Sequence, residues 1–211
     1  MLVSGIDKVD IESSVSQEEY NALKRLTEIK RMSNIPFGFI RFAVDEEIES
    51  VYLYSKEGKF KEITMKELTA IYEKQGLPVN IKNKEATRKY LNDKTSSAYH
   101  KWQRDSLGYQ LKVSDIDLIK LNQDSISEIY ELKRSFIALE KWEPYTDDYN
   151  NFRLLSNVFI NTNIDVKIAY NLRTKNPWKD DVTKLKIFNV NKNSGELVSF
   201  DQIISLENFI K

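Results

Sequence analysis

An α/β (α+β) fold, in which helices flank a mixed β-sheet and a small helix–hairpin–helix lobe precedes it, is predicted by three features of the sequence. Serine or threonine followed three residues later by glutamate opens two amphipathic stretches, at Ser16–Glu19 and Thr64–Glu67. Aromatic and β-branched runs occur in pairs joined by short polar turns, as hairpins require. From residue 84 onward the order reads helix, strands, helix, strands, helix, the pattern of a mixed sheet covered by helices.

The elements follow in order. Residues 1–15 scatter Asp7, Asp10 and Glu12 among apolar positions and read as a loosely held arm. Tyr20, Leu23, Leu26 and Ile29 then recur at helical spacing, giving a helix from about 17 to 31. Phe37 to Val44 and Ile48 to Tyr54 read as a hairpin about Asp45-Glu46-Glu47, and Gly58 marks the next turn. The helix opened at Thr64 stops at Gly76, with Pro78 close behind. These elements make an N-terminal lobe over 1–80, ahead of an α/β core over 81–211.

In that core, Lys82 to about Leu107 reads as helix, broken near Thr95-Ser96-Ser97 and ended by Gly108. Val113 to Leu121 and Ile126 to Lys133 form a hairpin through Asn122-Gln123-Asp124-Ser125. Asp147 or Asp148 caps a helix to about Asn161; Ile164 to Leu172 and Lys184 to Val190 are strands. After the Asn193-Ser194-Gly195 turn, Ser199-Phe200-Asp201-Gln202 opens a last helix.

Composition narrows the function. The 211 residues suffice for one well-buried domain, or one with a small appended lobe. At 41% hydrophobic and 30% charged, with 6 Gly and 4 Pro, the chain should fold. The absence of cysteine removes disulfides, thiolate metal sites and cysteine nucleophiles, and the single His100 removes any site needing two imidazoles. Thirty-two basic residues balance thirty-two acidic ones, so partners must be read from local patches. No stretch approaches the roughly 18 apolar residues of a membrane helix, and the start lacks a basic leader, so a cytoplasmic protein without membrane attachment is expected. With no P-loop, dinucleotide fingerprint or nucleophile elbow, no organic cofactor is expected.

The informative residues lie in the second hairpin. If it turns about Asp124, Asp117 faces Glu131 and Asp115 faces Lys133, and the two-residue period of a strand keeps all four on one side. A four-residue turn at 122–125 would shift the pairing by one. Carboxylates converging at short range suit one or two hard cations, which neutralise phosphate charge and lower the pKa of bound water. A lysine beside them can orient or deprotonate that water, or meet charge in the transition state. The alternative is a set of cross-strand ion pairs on a solvated sheet face.

Asp117 and Glu131-Leu132-Lys133 resemble the signature of the PD-(D/E)XK nuclease superfamily: an acidic residue at a strand start and an acid-x-lysine triplet on the next strand. The resemblance covers about residues 84 to 190. Ser114 stands where proline often precedes the aspartate, and the strand usually found ahead of the hairpin would fall in Tyr109 to Lys112. The resemblance implies a restriction-endonuclease-like core and a divalent-metal-dependent DNA endonuclease using Mg²⁺ or Mn²⁺. It implies Asp117, Glu131 and Lys133 as catalytic residues and Asp117 and Glu131 as metal ligands, with Asp115 and Glu85 as further ligand candidates.

Two segments carry seven basic residues against two acidic ones, Lys82 to Arg104 and Lys167 to Lys192, and the first interleaves Tyr90, Tyr99 and Trp102. Basic residues with aromatics suit phosphate contacts and base stacking, although solvated faces have the same composition. Arg134, Ser135, Lys101, Gln103 and Arg104 are the substrate-binding candidates; His100 reads as structural. Trp142, Pro144 and Tyr145 lid the site or pack on the sheet edge. The partner expected is DNA, with the N-terminal lobe positioning it or a second subunit of a homodimer. The competing reading is a catalytically inactive nuclease-fold module, of phage or mobile-element origin, that binds DNA or protein.

Overall fold

The computed structural model describes residues 2–44, 47–55, 57–79, 97–108, 111, 113–193 and 198–211. The chain is α/β, with two mixed sheets flanked by helices. Contacts divide it into two units: residues 1–30 with 36–111, and residues 31–35 with 112–211. Among the described residues no helix is long and apolar enough to cross a membrane.

In the first unit, β1 (Leu2–Ile6), β2 (Phe39–Ala43), β3 (Ser50–Tyr54) and β4 (Phe60–Thr64) lie side by side in that order. β1 and β2 are parallel, so α1 (Gln17–Ser33) is the crossover between them. Ser16 Oγ accepts from the Glu19 N–H at 3.2 Å and Glu19 Oε2 from the Ser16 N–H at 2.9 Å, the capping box expected at this helix start. The hairpin of β2 and β3 also forms as expected.

Two expectations fail here. Residues 1–15 are not a loose arm, because they begin with strand β1 and are then gripped by Arg41. This arginine is fully buried; it donates to the carbonyls of Ile11, Ser13 and Ser14 at 2.7–3.1 Å and pairs with Glu19 at 2.5 and 2.9 Å. Its guanidinium lies 4.0 Å from the centre of the Phe60 ring. The lobe is also more than helix, hairpin and helix. Gly58, at φ +77°, turns the chain into β4, whose polar sequence carries one buried residue, Ile63.

α2 (Met65–Lys74) has the capping box of Thr64 and Glu67 and ends before Gly76 at φ +77°, as expected. α3 (Ala98–Ser106) is capped by Ser97 and stops before Gly108 at φ +81°. Expectations for the helix before Ser97 fall on 80–96, outside the described residues. The unit's core gathers Ile40, Phe42, Val51, Ile63, Leu68, Tyr72, Tyr99 and Leu107. The division therefore falls after Leu111, not near residue 80, because α3 supplies Tyr99 and Leu107 to this core.

The second unit is a sheet of β5 (Leu118–Asn122), β6 (Ser125–Ser135), β7 (Asp165–Lys175), β8 (Trp178–Val190) and β9 (Val198–Ser205), in that order. β6 and β7 are parallel and joined through α4 (Tyr149–Phe159), which packs on β7 and buries Phe152, Leu155 and Phe159; the other pairs are antiparallel. Gln123 and Asp124 make the β5–β6 turn at φ +47° and +67°, the two-residue geometry that fits strand twist. Asn122 pairs with Ser125, one position off the register of a turn about Asp124. A bulge between Lys120 and Leu121 restores that register, so Lys120 pairs with Glu128 and Leu118 with Tyr130.

Pairing begins at Leu118 instead of Val113. The helix predicted from Ser199 is instead strand β9, paired along β8, and only α5 (Leu206–Phe209) is helical, capped by Ser205. A serine three residues before glutamine mimics a capping box, but ladder bonds to β8 claim that backbone. Asn193 is described and Ser194-Gly195 are not.

Arg41→Met is expected to destabilise the protein by about 3–5 kcal/mol in urea unfolding at neutral pH, since it leaves Glu19 buried without its partner. The hydrogen bonds from Arg41 hold the Glu19 carboxyl below the usual range, so the stability from this pair is present above that range and lost as pH falls through it. The cost of the substitution should shrink in acid; an equal cost at both pH values would rule out the ion pair as its source.

Candidate active site

β6 builds the site by alternation. Glu131, Lys133 and Ser135 point to one face of the sheet, and Tyr130, Leu132 and Arg134 to the other. Glu131 is buried at 7% exposure, and the Lys133 ammonium lies 3.0 Å from Glu131 Oε1. Asp117 stands one residue before the Leu118–Tyr130 pair, just ahead of the paired strand; its Oδ2 accepts the Leu132 N–H at 2.7 Å, and its charge bears on Glu131. The pairs Leu118–Tyr130 and Lys120–Glu128 keep the register about Asp124, and Asp117 approaches Glu131 from outside that ladder.

The expected facing of Asp115 and Lys133 does not form. Asp115 is exposed and lies ahead of the paired strand, and Lys133 turns instead to Asp148 Oδ2 at 3.5 Å. Asp148 occupies the cap position of α4 with helical backbone angles, φ -81° and ψ -12°, and makes no side-chain cap bond; its carboxylate lies toward Lys133. The sequence reading had it only as a cap. The available signal was an acidic pair, Asp147-Asp148, opening the helix that crosses over from the acid-x-lysine strand.

The loop that delivers Asp148 is anchored from below. Trp142 is buried at 1% exposure and stacks on Tyr170, with ring centres 4.1 Å apart and planes 3° from parallel. Lys186, 3% exposed, donates to the Trp142 carbonyl at 2.7 Å and to Glu143 Oε1 at 2.9 Å. Trp142 is thus packing, not a lid, while Tyr145 is exposed.

Two carboxylates, Glu131 and Asp148, pair with the Lys133 ammonium, and the charge of Asp117 bears on Glu131. Burial first, and then repulsion from Asp117 and Asp148, push the Glu131 carboxyl above its usual range despite Lys133. Burial works against the charge of Lys133, but the attraction of Glu131 and Asp148 outweighs it and holds that pKa above the usual lysine value. Glu128, three residues earlier on the opposite face, is the reverse case. Burial opposes its charge too, yet Lys167 at 2.5 Å and the Tyr130 hydroxyl at 2.7 Å outweigh burial and keep its carboxyl below the usual range. Glu128 is an internally neutralised ion pair, whereas Glu131 sits in an excess of negative charge.

The substrate-binding candidates scatter. Arg134 points away from Glu131 and Lys133 and pairs with Asp180 at 3.1 Å. Ser135 hydrogen-bonds the Tyr170 hydroxyl at 2.9 Å and accepts from the Ile137 N–H. Lys101, Gln103 and Arg104 belong to α3 in the first unit, where the His100 N–H donates to Ser97 Oγ in the helix cap. Glu85 lies outside the described residues, as do Lys82, Lys84, Arg88, Lys89, Tyr90 and Lys94 of the first basic segment and Tyr109, Gln110 and Lys112 of the strand expected ahead of the hairpin. The basic segment 167–192 is not one patch. Lys167 pairs with Glu128, Arg173 with Asp180, Lys186 is buried, and Lys192 donates to the carbonyls of Thr162 and Ile164.

Compared with protein-family models, curated proteins and solved structures, the chain matches none.

Glu131→Gln imitates the protonated carboxyl that the site prefers. Because the folded-state pKa is raised, wild-type stability declines as pH climbs from the ordinary glutamate range through that value. In chelator, Glu131→Gln should therefore melt higher than wild type at pH 7 and at the same temperature in acid. A lower melting temperature at pH 7 would mean that the Glu131–Lys133 pair is net stabilising.

Proposed function

We propose that this chain is a divalent-metal-dependent DNA endonuclease hydrolysing phosphodiester bonds, with a restriction-endonuclease-like core in its second unit. Asp117 and Glu131 hold Mg²⁺ or Mn²⁺, and Lys133 serves the attacking water. The observation that carries this reading is the Glu131–Lys133 pair on one sheet face with the charges of Asp117 and Asp148 bearing on Glu131, more negative charge than the lysine offsets. The hairpin β5–β6 followed by the parallel crossover through α4 to β7 supports the likeness to the PD-(D/E)XK nucleases suggested by the same residues.

The donor set fits a hard cation. Carboxylate oxygens suit Mg²⁺, which keeps several of its waters. Among the described residues no group of three His, Asp or Glu side chains is arranged to hold a metal by itself, so a cation here would draw on Asp117 and Glu131 with water completing its shell. Bound there, it would polarise phosphate and supply a water of lowered pKa. Lys133 remains an ammonium beside Glu131 and Asp148, which suits it to orienting that water and meeting phosphate charge more than to removing a proton. Asp148 positions the ammonium, and the Leu132 N–H positions Asp117.

A second reading, a nuclease-like fold that only binds DNA or protein, rests on the ion pairs of Lys133, which satisfy the ammonium without metal. The two part in a cleavage assay on supercoiled, linear, single-stranded and branched DNA with Mg²⁺, Mn²⁺ or chelator. The enzyme should cut only with metal, Asp117→Ala and Glu131→Ala should lose metal binding and cutting, and Lys133→Ala should lose a factor of about 10² to 10⁴ in rate while still folding, at a melting temperature lowered because Glu131 loses its partner. Metal-indifferent DNA binding without cutting would sink the nuclease reading, and cutting retained by folded Lys133→Ala would leave Lys133 as a structural ion-pair partner only.

A further inference from the structure

The face of β6 opposite Glu131 and Lys133 is left uncovered toward the end of the strand, and it carries an unusual set of groups. Leu132 and Phe136 are 47% and 44% exposed, and Trp178, which opens β8, is 65% exposed. The Phe136 and Trp178 rings meet edge to face at 5.3 Å. Lys175 Nζ lies 4.8 Å from the Phe136 ring centre and the Arg173 guanidinium 5.6 Å from that of Trp178. Arg134 and Arg173 grip the two oxygens of Asp180 at 3.1 and 3.0 Å.

The β7–β8 part of this arrangement is set by backbone pairing although it is solvent-exposed. Lys175 pairs with Trp178 and Arg173 with Asp180 across the β7–β8 hairpin, so the backbone ladder sets the spacing of rings and cations. Three cations, Arg134, Arg173 and Lys175, face one carboxylate, Asp180, which leaves a local positive excess. Exposed ring faces flanked by cations match a polymer that alternates flat aromatic bases with phosphates. In a duplex the bases are stacked on each other, so only unpaired ones have a face to offer.

We infer that this face, built on Phe136, Trp178, Arg134, Arg173 and Lys175, docks a DNA strand with unpaired bases, the rings stacking on bases and the cations meeting phosphates. The inference rests on the nuclease reading for the class of polymer, and it names the substrate class: DNA with a single-stranded stretch, held on the side of the sheet away from the hydrolytic cluster.

The test is fluorescence anisotropy of the full chain with labelled oligo(dT) and with a blunt duplex, in chelator so that nothing is cut. Trp178→Ala and the Trp178→Ala/Phe136→Ala double variant should bind oligo(dT) about tenfold or more weakly, Trp178→Phe should restore most of the affinity, and Lys175→Gln should flatten the salt dependence. Thermal melting checks that each variant folds, which the exposure of Trp178 favours. Unchanged oligo(dT) affinity in the double variant would overturn the inference. An equal loss on the duplex would overturn base stacking, and loss of binding to anionic vesicles with none to DNA would assign the face to a lipid surface. The outcomes separate from those of the cleavage assay: a wild-type protein that cuts no DNA sinks the nuclease reading and leaves the binding difference standing, whereas one that cuts while its variants bind normally sinks only the docking face.

Discussion

Strand β6 is paired on both sides, antiparallel to β5 and parallel to β7, and that double pairing imposes the constraint on which the second unit depends. A strand held on both edges cannot roll, so each side chain is committed to one face. Ile129, Glu131, Lys133 and Ser135 share the face under α4, the first fully buried and the next two forming the acidic cluster with Asp117. Glu128, Tyr130, Leu132 and Arg134 share the other, where Tyr130 packs edge to face on Phe209 at 5.0 Å. One eleven-residue strand thereby supplies core, charge cluster and exposed surface without any of them compromising the others.

The charge cluster differs from the rest of the protein in how its charges are balanced. Arg41 with Glu19, and Glu128 with Lys167, are ion pairs whose burial is offset by additional hydrogen bonds, the arrangement that makes a buried charge tolerable. Glu131 lacks that compensation, since its neighbours Asp117 and Asp148 oppose its charge as well as burial does. Repulsion among these carboxylates is therefore not fully offset by Lys133. Keeping the cluster in place requires support, and Lys186 with the stacked Trp142 and Tyr170 supplies it by fixing the loop that ends at Asp148.

Some of this was legible in the sequence for local reasons. Capping boxes at Ser16 and Thr64, the glycine stops at Gly76 and Gly108 and the strand patterns of β2, β3, β6 and β7 depend on residues within a few positions of one another, and each forms where its local chemistry places it. The register about Asp124 holds for Leu118–Tyr130 and Lys120–Glu128, but by way of a bulge after Lys120 that offsets a shorter turn, and Asp117 lies just ahead of the paired strand. What failed was decided at a distance. β1 is a strand because β2 offers it a parallel edge and Arg41 holds the residues after it; β9 is a strand because β8 claims its backbone; Asp148 makes no cap bond and pairs with Lys133, a partner on β6.

The sequence by itself determined the class of fold, the two helix-opening boxes and the presence of an aspartate and an acid-x-lysine triplet on neighbouring strands. Only the tertiary structure decided that α3 belongs to the first unit's core, that Lys167, Lys186 and Lys192 are engaged in internal ties, and that a third carboxylate joins the cluster. The physical reason is one of range. Capping, turn and alternation preferences act between residues a few positions apart and can be read in order along the chain. The partners of a buried ammonium or guanidinium are set by which strands become neighbours, and that is fixed only when the whole sheet closes.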